Sequence, residues 1–139
     1  VLDSERPIIA SVIVNRLRKR MRLQIDPTVM YGLHLPFGSE LSRKDLRTPS
    51  LYNTYRNYGL PPTPIDMPGL KSIRAALHPD ASDYLYYVAK GGGAHQFSRS
   101  YRQHQVAVKR YRDQQKGQYK ICNVLSRNVP IVYWLFCMN

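Results

Sequence analysis

Side chains able to do chemistry are sparse in this chain and gather in a few places. The 139 residues carry nine Asp and Glu against 21 Lys and Arg, with four His and two Cys. The densest polar-aromatic stretch runs from Leu51 to Ile65, where Tyr52, Asn53, Thr54, Tyr55 and Tyr58 precede a Gly59-Leu60-Pro61-Pro62 turn. Pro61, Pro62 and Pro64 fix φ and remove backbone donors, so this segment is extended or turned and not helical. A stiff backbone carrying phenols and amides offers flat apolar faces beside hydrogen-bonding tips, which suits a carbohydrate or a peptide. Two further candidates are Asp26, in Asp26-Pro27-Thr28, and His95, just past Gly91-Gly92-Gly93. Each candidate also has a plainer role. Asp26 can cap a helix, Asn53 and Thr54 can satisfy backbone groups in a buried turn, and a lone His95 can be structural.

Around this segment the chain reads Leu17-Arg-Lys-Arg-Met-Arg-Leu-Gln-Ile-Asp26-Pro-Thr-Val-Met-Tyr-Gly32, then Leu41-Ser-Arg-Lys-Asp-Leu-Arg-Thr-Pro-Ser-Leu-Tyr-Asn-Thr-Tyr55. Met67-Pro-Gly, His78-Pro, Tyr84-Leu-Tyr-Tyr-Val-Ala89 and Gly92-Gly-Ala-His-Gln-Phe-Ser98 follow. From about Asp3 to Arg112, the order and wording of these motifs resemble the C-terminal catalytic region of the endolytic murein transglycosylases, the YceG-like family. That resemblance implies a bacterial lyase acting on peptidoglycan, cutting between N-acetylmuramic acid and N-acetylglucosamine. It implies glycan strands as the partner, with the cell-wall synthesis machinery a compatible second one. It also implies a parent protein tethered by an N-terminal membrane helix, its catalytic part facing the periplasm or cell wall. On this reading Asp26, Tyr52, Asn53, Thr54, Tyr55 and His95 are substrate contacts. Residues 1–115 are the C-terminal part of a catalytic domain, and 116–139 form a tail that does not match the family.

Such a reaction needs one carboxyl group above all. It protonates the glycosidic oxygen, and the resulting carboxylate takes a proton from the C6 hydroxyl of the same sugar, closing a 1,6-anhydro ring. One glutamate can do both jobs, because no water enters the bond. The resemblance places that glutamate in a Glu-Lys-Glu-Thr motif, which is expected upstream of Val1. No Glu-x-Glu-Thr occurs in the 139 residues, whose only glutamates are Glu5 and Glu40. Glu5 falls in the first turn of a helix, where the dipole favours the ionised carboxylate and capping is the simpler role. Glu40 sits in a charged loop. The 139 residues alone are therefore expected to be inactive. Asn15 and Arg16 match an Asn-Arg-Leu of the family, with Arg16 free to pair with either a substrate carboxylate or an internal Asp.

The family has also been labelled aminodeoxychorismate lyase. Pyridoxal-phosphate chemistry would need a lysine in a phosphate-binding setting, and neither Lys19 nor Lys44 has one, so no cofactor is expected. No Cys/His cluster has metal-ligand spacing, so no metal is expected either. Cys122 and Cys137 read as small apolar residues of the tail, with a disulfide the alternative in an oxidising compartment. The net charge of +12 raises a rival reading, a basic nucleic-acid-binding module, alongside a non-catalytic glycan-binding module. The charge falls in two clusters, Arg16 to Arg22 and Arg99 to Lys116, that read as solvated helical faces. No nucleic-acid partner is expected.

The elements that must position these groups fit one domain of α+β class: short helices packed with a small antiparallel β-hairpin and long ordered loops. Ser4 is a candidate N-cap for a helix with Ile9, Ile13 and Leu17 on one stripe, ending near Arg20. Asp26-Pro27 opens a short helix that stops at Gly32. Residues 33 to 69 read as loop with one helical turn after Ser42, and so long an irregular stretch in a small domain points to function. Gly69 to Leu77 fits a helix closed by His78-Pro79. Tyr84 to Ala89 and His95 to Ser98 form a hairpin across the glycine turn. A last helix capped by Ser98 or Ser100 runs to about Gln115.

Overall fold

The computed structural model describes residues 2–125, with side chains through residue 115. Four helices and one antiparallel hairpin appear in the order α1 (Arg6–Arg18), α2 (Asp26–Gly32), α3 (Leu70–Leu77), β1 (Tyr86–Gly91), β2 (Ala94–Ser98) and α4 (Tyr101–Leu125). The α+β class is as expected. Single 3-10 turns at Asp3–Glu5 and Asp45–Arg47 complete the described elements. The second is the turn anticipated after Ser42. There the Ser42 hydroxyl and amide donate to the Asp45 carboxylate while the Asp45 amide donates back to the Ser42 hydroxyl, a reciprocal cap.

Helix α1 starts later than its sequence suggests. Ser4 lies inside the 3-10 turn and caps nothing, and the α-helix proper opens at Arg6 with Pro7 in its first turn. Its innermost side chains are Ser11, Val12 and Arg16, whereas Ile9, Ile13 and Leu17 are half-buried. The expected stripe is displaced because α1 is covered from several directions. Helix α3 lies against it through buried Ala75 and the Arg6–Ser72 hydrogen bond at 2.8 Å. The strand leading into the hairpin is stitched to it by Asn15, whose amide donates to the carbonyls of Ser82 (2.6 Å) and Tyr84 (3.1 Å). Asp3 bridges Arg6 and Lys71 at the exposed edge, and these two cations, Lys71 foremost, hold its carboxyl below the usual range.

Apolar burial is thin. Among the described residues Val12, Leu23, Val29, Met30 and Ala75 are the buried apolar ones, against the buried polar residues Ser11, Arg16, Thr28, Asn53, Thr54 and Ser98. A core of this kind must be stabilised by satisfied hydrogen bonds as much as by area removed from water. Arg16 is its centre. The guanidinium donates to the carbonyls of Leu85 (2.6 Å), Arg22 (3.0 Å) and Leu23 (2.9 Å) and to Gln24 Oε1 (3.2 Å), and it lies 4.9 Å from the Tyr86 ring centroid. No internal Asp is its partner among the described residues.

The hairpin pairs Tyr86 with Ser98 and Tyr87 with Phe97, with a bulge between Ala89 and Gly91. Gly91, Gly92 and Gly93 all have positive φ, from 60° to 102°, which explains the run of three glycines at the turn. Strand β1 begins at Tyr86 instead of Tyr84, although the Leu85 amide still donates to the Ser98 carbonyl. Helix α4 packs on β1 through His104, whose ring stacks on Tyr86 at 5.1 Å. It continues past the expected end at Gln115 to Leu125, and Pro130 is the first proline beyond that point. Residues 116–125 are thus helix. The rest of the tail, with Cys137, lies outside the described residues. No helix among the described residues is long and apolar enough to cross a membrane.

Two predictions follow from this core. Arg16→Met strands the carbonyls of Leu85, Arg22 and Leu23, and at ~1–3 kcal/mol per orphaned buried group, partly offset by a charge no longer buried, it should destabilise by roughly 3 kcal/mol. A fall in urea midpoint with unchanged slope would register this. The second concerns His104, which burial, and next the nearby Arg16 cation, hold below its ordinary value. A lowered histidine value means stability that is intact above the unfolded value, about pH 6.5, and lost as pH falls from there through the folded value. Melting temperature should therefore drop between pH 7.5 and pH 5, and His104→Phe should flatten that drop.

Candidate functional site

The candidate residues fall in two connected groups under the hairpin. Asp26 opens α2, with Ile25 in extended conformation before it, but its side chain caps nothing. The carboxylate instead accepts a short hydrogen bond from the Tyr55 hydroxyl. Burial first, and then the Asp26 hydrogen bond and charge, raise the Tyr55 phenol well above its usual value, with Arg16 opposing. Tyr55 consequently stays protonated at neutral pH, a fixed hydrogen-bond donor that ties the Leu51–Ile65 loop to α2.

Asn53 and Thr54 are 0% and 2% exposed. The Asn53 amide donates to the carbonyls of Leu46 (3.2 Å) and Thr48 (2.8 Å), and its oxygen accepts from the Tyr55 amide at 2.9 Å. The Thr54 hydroxyl accepts from the Ile25 amide at 2.9 Å and pairs with the Thr28 hydroxyl at 2.8 Å. All these polar atoms are spent inside the protein, so the two residues shape the loop that displays their neighbours. Tyr52 is half-buried. Its hydroxyl bonds to Thr63 Oγ1 at 2.8 Å, bracing the proline segment, and its ring lies 4.8 Å from that of Tyr31. The contact is close because α2 ends on Gly32, where a Cβ would lie 2.3 Å from Ser50 Oγ.

His95 meets a partner that sequence reasoning did not assign to it. Its backbone amide donates to Glu5 Oε1 (3.1 Å), and its Nδ1 lies 2.8 Å from Glu5 Oε2. Both side chains are largely buried, at 9% and 14% exposure. The capping role expected of Glu5 is absent, since no side-chain cap bond forms at the start of α1. A peptide N–H and a ring nitrogen of His95 compete successfully for the same two oxygens. The only hint of this in the sequence is that a carboxylate and a histidine occupy opposite ends of the motif series, 90 residues apart. From His95 the aromatic contacts run on to Tyr87 (5.6 Å, edge-on) and Phe97 (6.4 Å).

Arg16 joins the groups. It donates to the carbonyl of Leu85 beside the hairpin, it fixes the 22–24 turn that leads into Asp26, and its charge is felt at Tyr55. Glu5–His95 and Arg16 with Asp26–Tyr55 therefore mark the two ends of a seam along α1. Chemically the seam offers phenols, a histidine and carboxylates in paired states, a positioning and binding arrangement. It holds no unpaired glutamate. A separate groove of about 600 Å³ between the hairpin and α4 is lined by Lys90, Arg99, Arg102 and Arg110 over Phe97 and Val106. Among the described residues no group of three or more His, Cys, Asp or Glu could hold a metal ion.

Comparison with known proteins gives the chain its family. The model of the YceG-like family matches residues 1–110. An endolytic murein transglycosylase of Bacillus subtilis is 47% identical over 110 residues, which cover 78% of this chain and 30% of that protein. One from Streptococcus pneumoniae is 36% identical over 90 residues, 61% of this chain and 16% of the relative. A crystal structure of a YceG-like protein from Listeria monocytogenes superposes with a TM-score of 0.66 at 51% identity, covering 70% of this chain and 32% of that one. The chain thus spans about a third or less of the proteins it matches. Fold, motif order and the match over residues 1–110 agree: the chain belongs to the YceG-like family.

Proposed function

We propose that these residues are the substrate-binding part of a peptidoglycan lytic transglycosylase, which cuts glycan strands endolytically between N-acetylmuramic acid and N-acetylglucosamine and leaves 1,6-anhydro ends. The observation that carries this reading is the 47% identity to a protein named endolytic murein transglycosylase. The braced tyrosine loop supports it, because a strand needs stacking faces held at fixed spacing more than it needs reactive groups. Tyr52 and Tyr55 are held by Thr63 and Asp26, so little side-chain entropy remains to be lost on binding.

The general acid is read as lying outside the 139 residues. Glu5 has both oxygens engaged by His95, and Glu40 is an exposed loop residue with no apolar pocket around it. Neither meets the need for a carboxyl group kept protonated beside the scissile bond. The role assigned to Glu5–His95 is to fix the first turn of α1 against the hairpin, so that an acid supplied from upstream sequence is held over the tyrosine loop. On the same reading the parent protein is tethered to the cytoplasmic membrane, with this part facing the cell wall.

Purified peptidoglycan sacculi test the reading. The 139-residue chain should co-sediment with sacculi and release no anhydro-muropeptides. A longer protein carrying the upstream Glu-x-Glu-Thr should release them and lose more than 100-fold, on the order expected for an acid catalyst, when that glutamate becomes glutamine. Anhydro products from the short chain would place the acid among its own residues. Tighter, salt-sensitive retention on random DNA than on sacculi would replace the reading with a nucleic-acid one.

A further inference from the structure

The turn between α1 and α2 adopts a backbone that residues with side chains avoid. Arg20 has φ 51° and Gln24 has φ 56°, both in the left-handed region. Neither is a glycine, an asparagine or an aspartate, so the conformation is imposed by the surroundings. At Arg20 it closes α1, with the Met21 amide donating to the Arg16 carbonyl at 2.8 Å, and at Gln24 the source is a clamp. Arg16 Nη1 donates to the carbonyls of Arg22 and Leu23 and to Gln24 Oε1, and the Gln24 amide donates to the Thr54 carbonyl at 3.2 Å. The turn is thus clamped from beneath by a buried cation and from the side by the tyrosine loop.

What the clamp displays outward is specific. Arg20, Met21, Arg22, Gln24 and Tyr58 line a shallow depression of about 370 Å³. The Arg22 guanidinium lies 5.0 Å from the Tyr58 ring centroid. A guanidinium resting on an aromatic face keeps its N–H edge in the ring-parallel plane, the geometry that grips a carboxylate through two parallel hydrogen bonds. No acidic residue lines the depression, and neither arginine forms an ion pair among the described residues. Two cations are therefore held at one place by strained backbone, beside the loop that presents the tyrosines, with no internal anion to neutralise them.

We propose that this depression is a carboxylate subsite for the glycan strand, with Arg20 and Arg22 as its donors and Tyr58 as the platform under Arg22. The proposal rests on the transglycosylase reading and adds to it the group on the substrate that is recognised. Two carboxylates on such a strand share this chemistry: the lactyl carboxylate of an unsubstituted muramic acid, and the carboxylates of a peptide stem, whose attachment turns the lactyl group into an amide.

Calorimetric titration of the chain with three probes separates these sources: a neutral chitin oligosaccharide, peptide-free glycan strands with free lactyl carboxylates, and peptide-bearing strands. The wild-type chain should bind at least one carboxylate-bearing probe about tenfold more tightly than the chitin oligosaccharide. The Arg20→Gln/Arg22→Gln variant should lose that preference and keep its chitin affinity, and the probe whose binding falls names the carboxylate. Arg99→Gln/Arg102→Gln, an equal loss of charge in the groove beside α4, should keep the preference. Equal wild-type affinity for all three probes, or equal loss in both double variants, would overturn the subsite and leave glycan binding standing. Wild-type binding to none of the three would overturn the subsite and the reading beneath it together.

Discussion

The whole arrangement depends on one buried cation. Arg16 sits on α1 among carbonyl oxygens and beneath an aromatic ring, with no carboxylate to neutralise it among the described residues. Burial lowers its value from the usual one, yet a guanidinium starts so far above neutrality that it stays charged. A charge in such a place is tolerable only if every N–H finds an oxygen, and the chain must bring those oxygens to it. The 22–24 turn and the residue before β1 are the segments that do so. The conformations of the turn and the hairpin's entry are thus set by the same group, which adds directional hydrogen bonds to the five buried apolar residues among those described.

That choice of core has consequences for what can be built around it. An apolar core of this size leaves loops loosely determined, but here the loop from residue 33 to 69 is secured by side-chain hydrogen bonds to backbone at Asn53, Thr54 and Asn57. Buried amides and hydroxyls specify direction as well as proximity, so the tyrosines between them are displayed at fixed positions. Long irregular segments in small domains are rarely ordered without such a device. The basic groove beside α4 is lined largely by exposed side chains, with Arg99 resting on Tyr84 and Gln103 capping the Arg99 and Ser100 amides.

Local signals in the sequence were legible and distant ones were not. Asp26-Pro27 marks the start of α2, Gly32 its end, and Gly91-Gly92-Gly93 the hairpin turn, because proline, glycine and capping residues act on backbone within a few positions. The α+β class and the motif order were readable for the same reason. The side-chain partners were another matter. Glu5 and Asp26 both read as caps of their own helices, and each instead serves a group far along the chain, His95 and Tyr55. Periodicity likewise put Ile9, Ile13 and Leu17 inside, while the structure buries Ser11, Val12 and Arg16, since a helix covered on several sides has no single inner stripe. Helix α4 outruns Gln115 because nothing before Pro130 forbids it.

The Glu5–His95 pair joins positions 90 residues apart, and this separation bears on biosynthesis. A ribosome delivers α1 long before the hairpin, so the opening turn of the chain waits without its anchor while most of the domain is made. Closing so long a loop is slow relative to forming the helices it connects. The Glu5–His95 contact therefore closes late, after the tyrosine loop has been synthesised. The order of synthesis along the chain thus also sets the order in which its two ends can be joined.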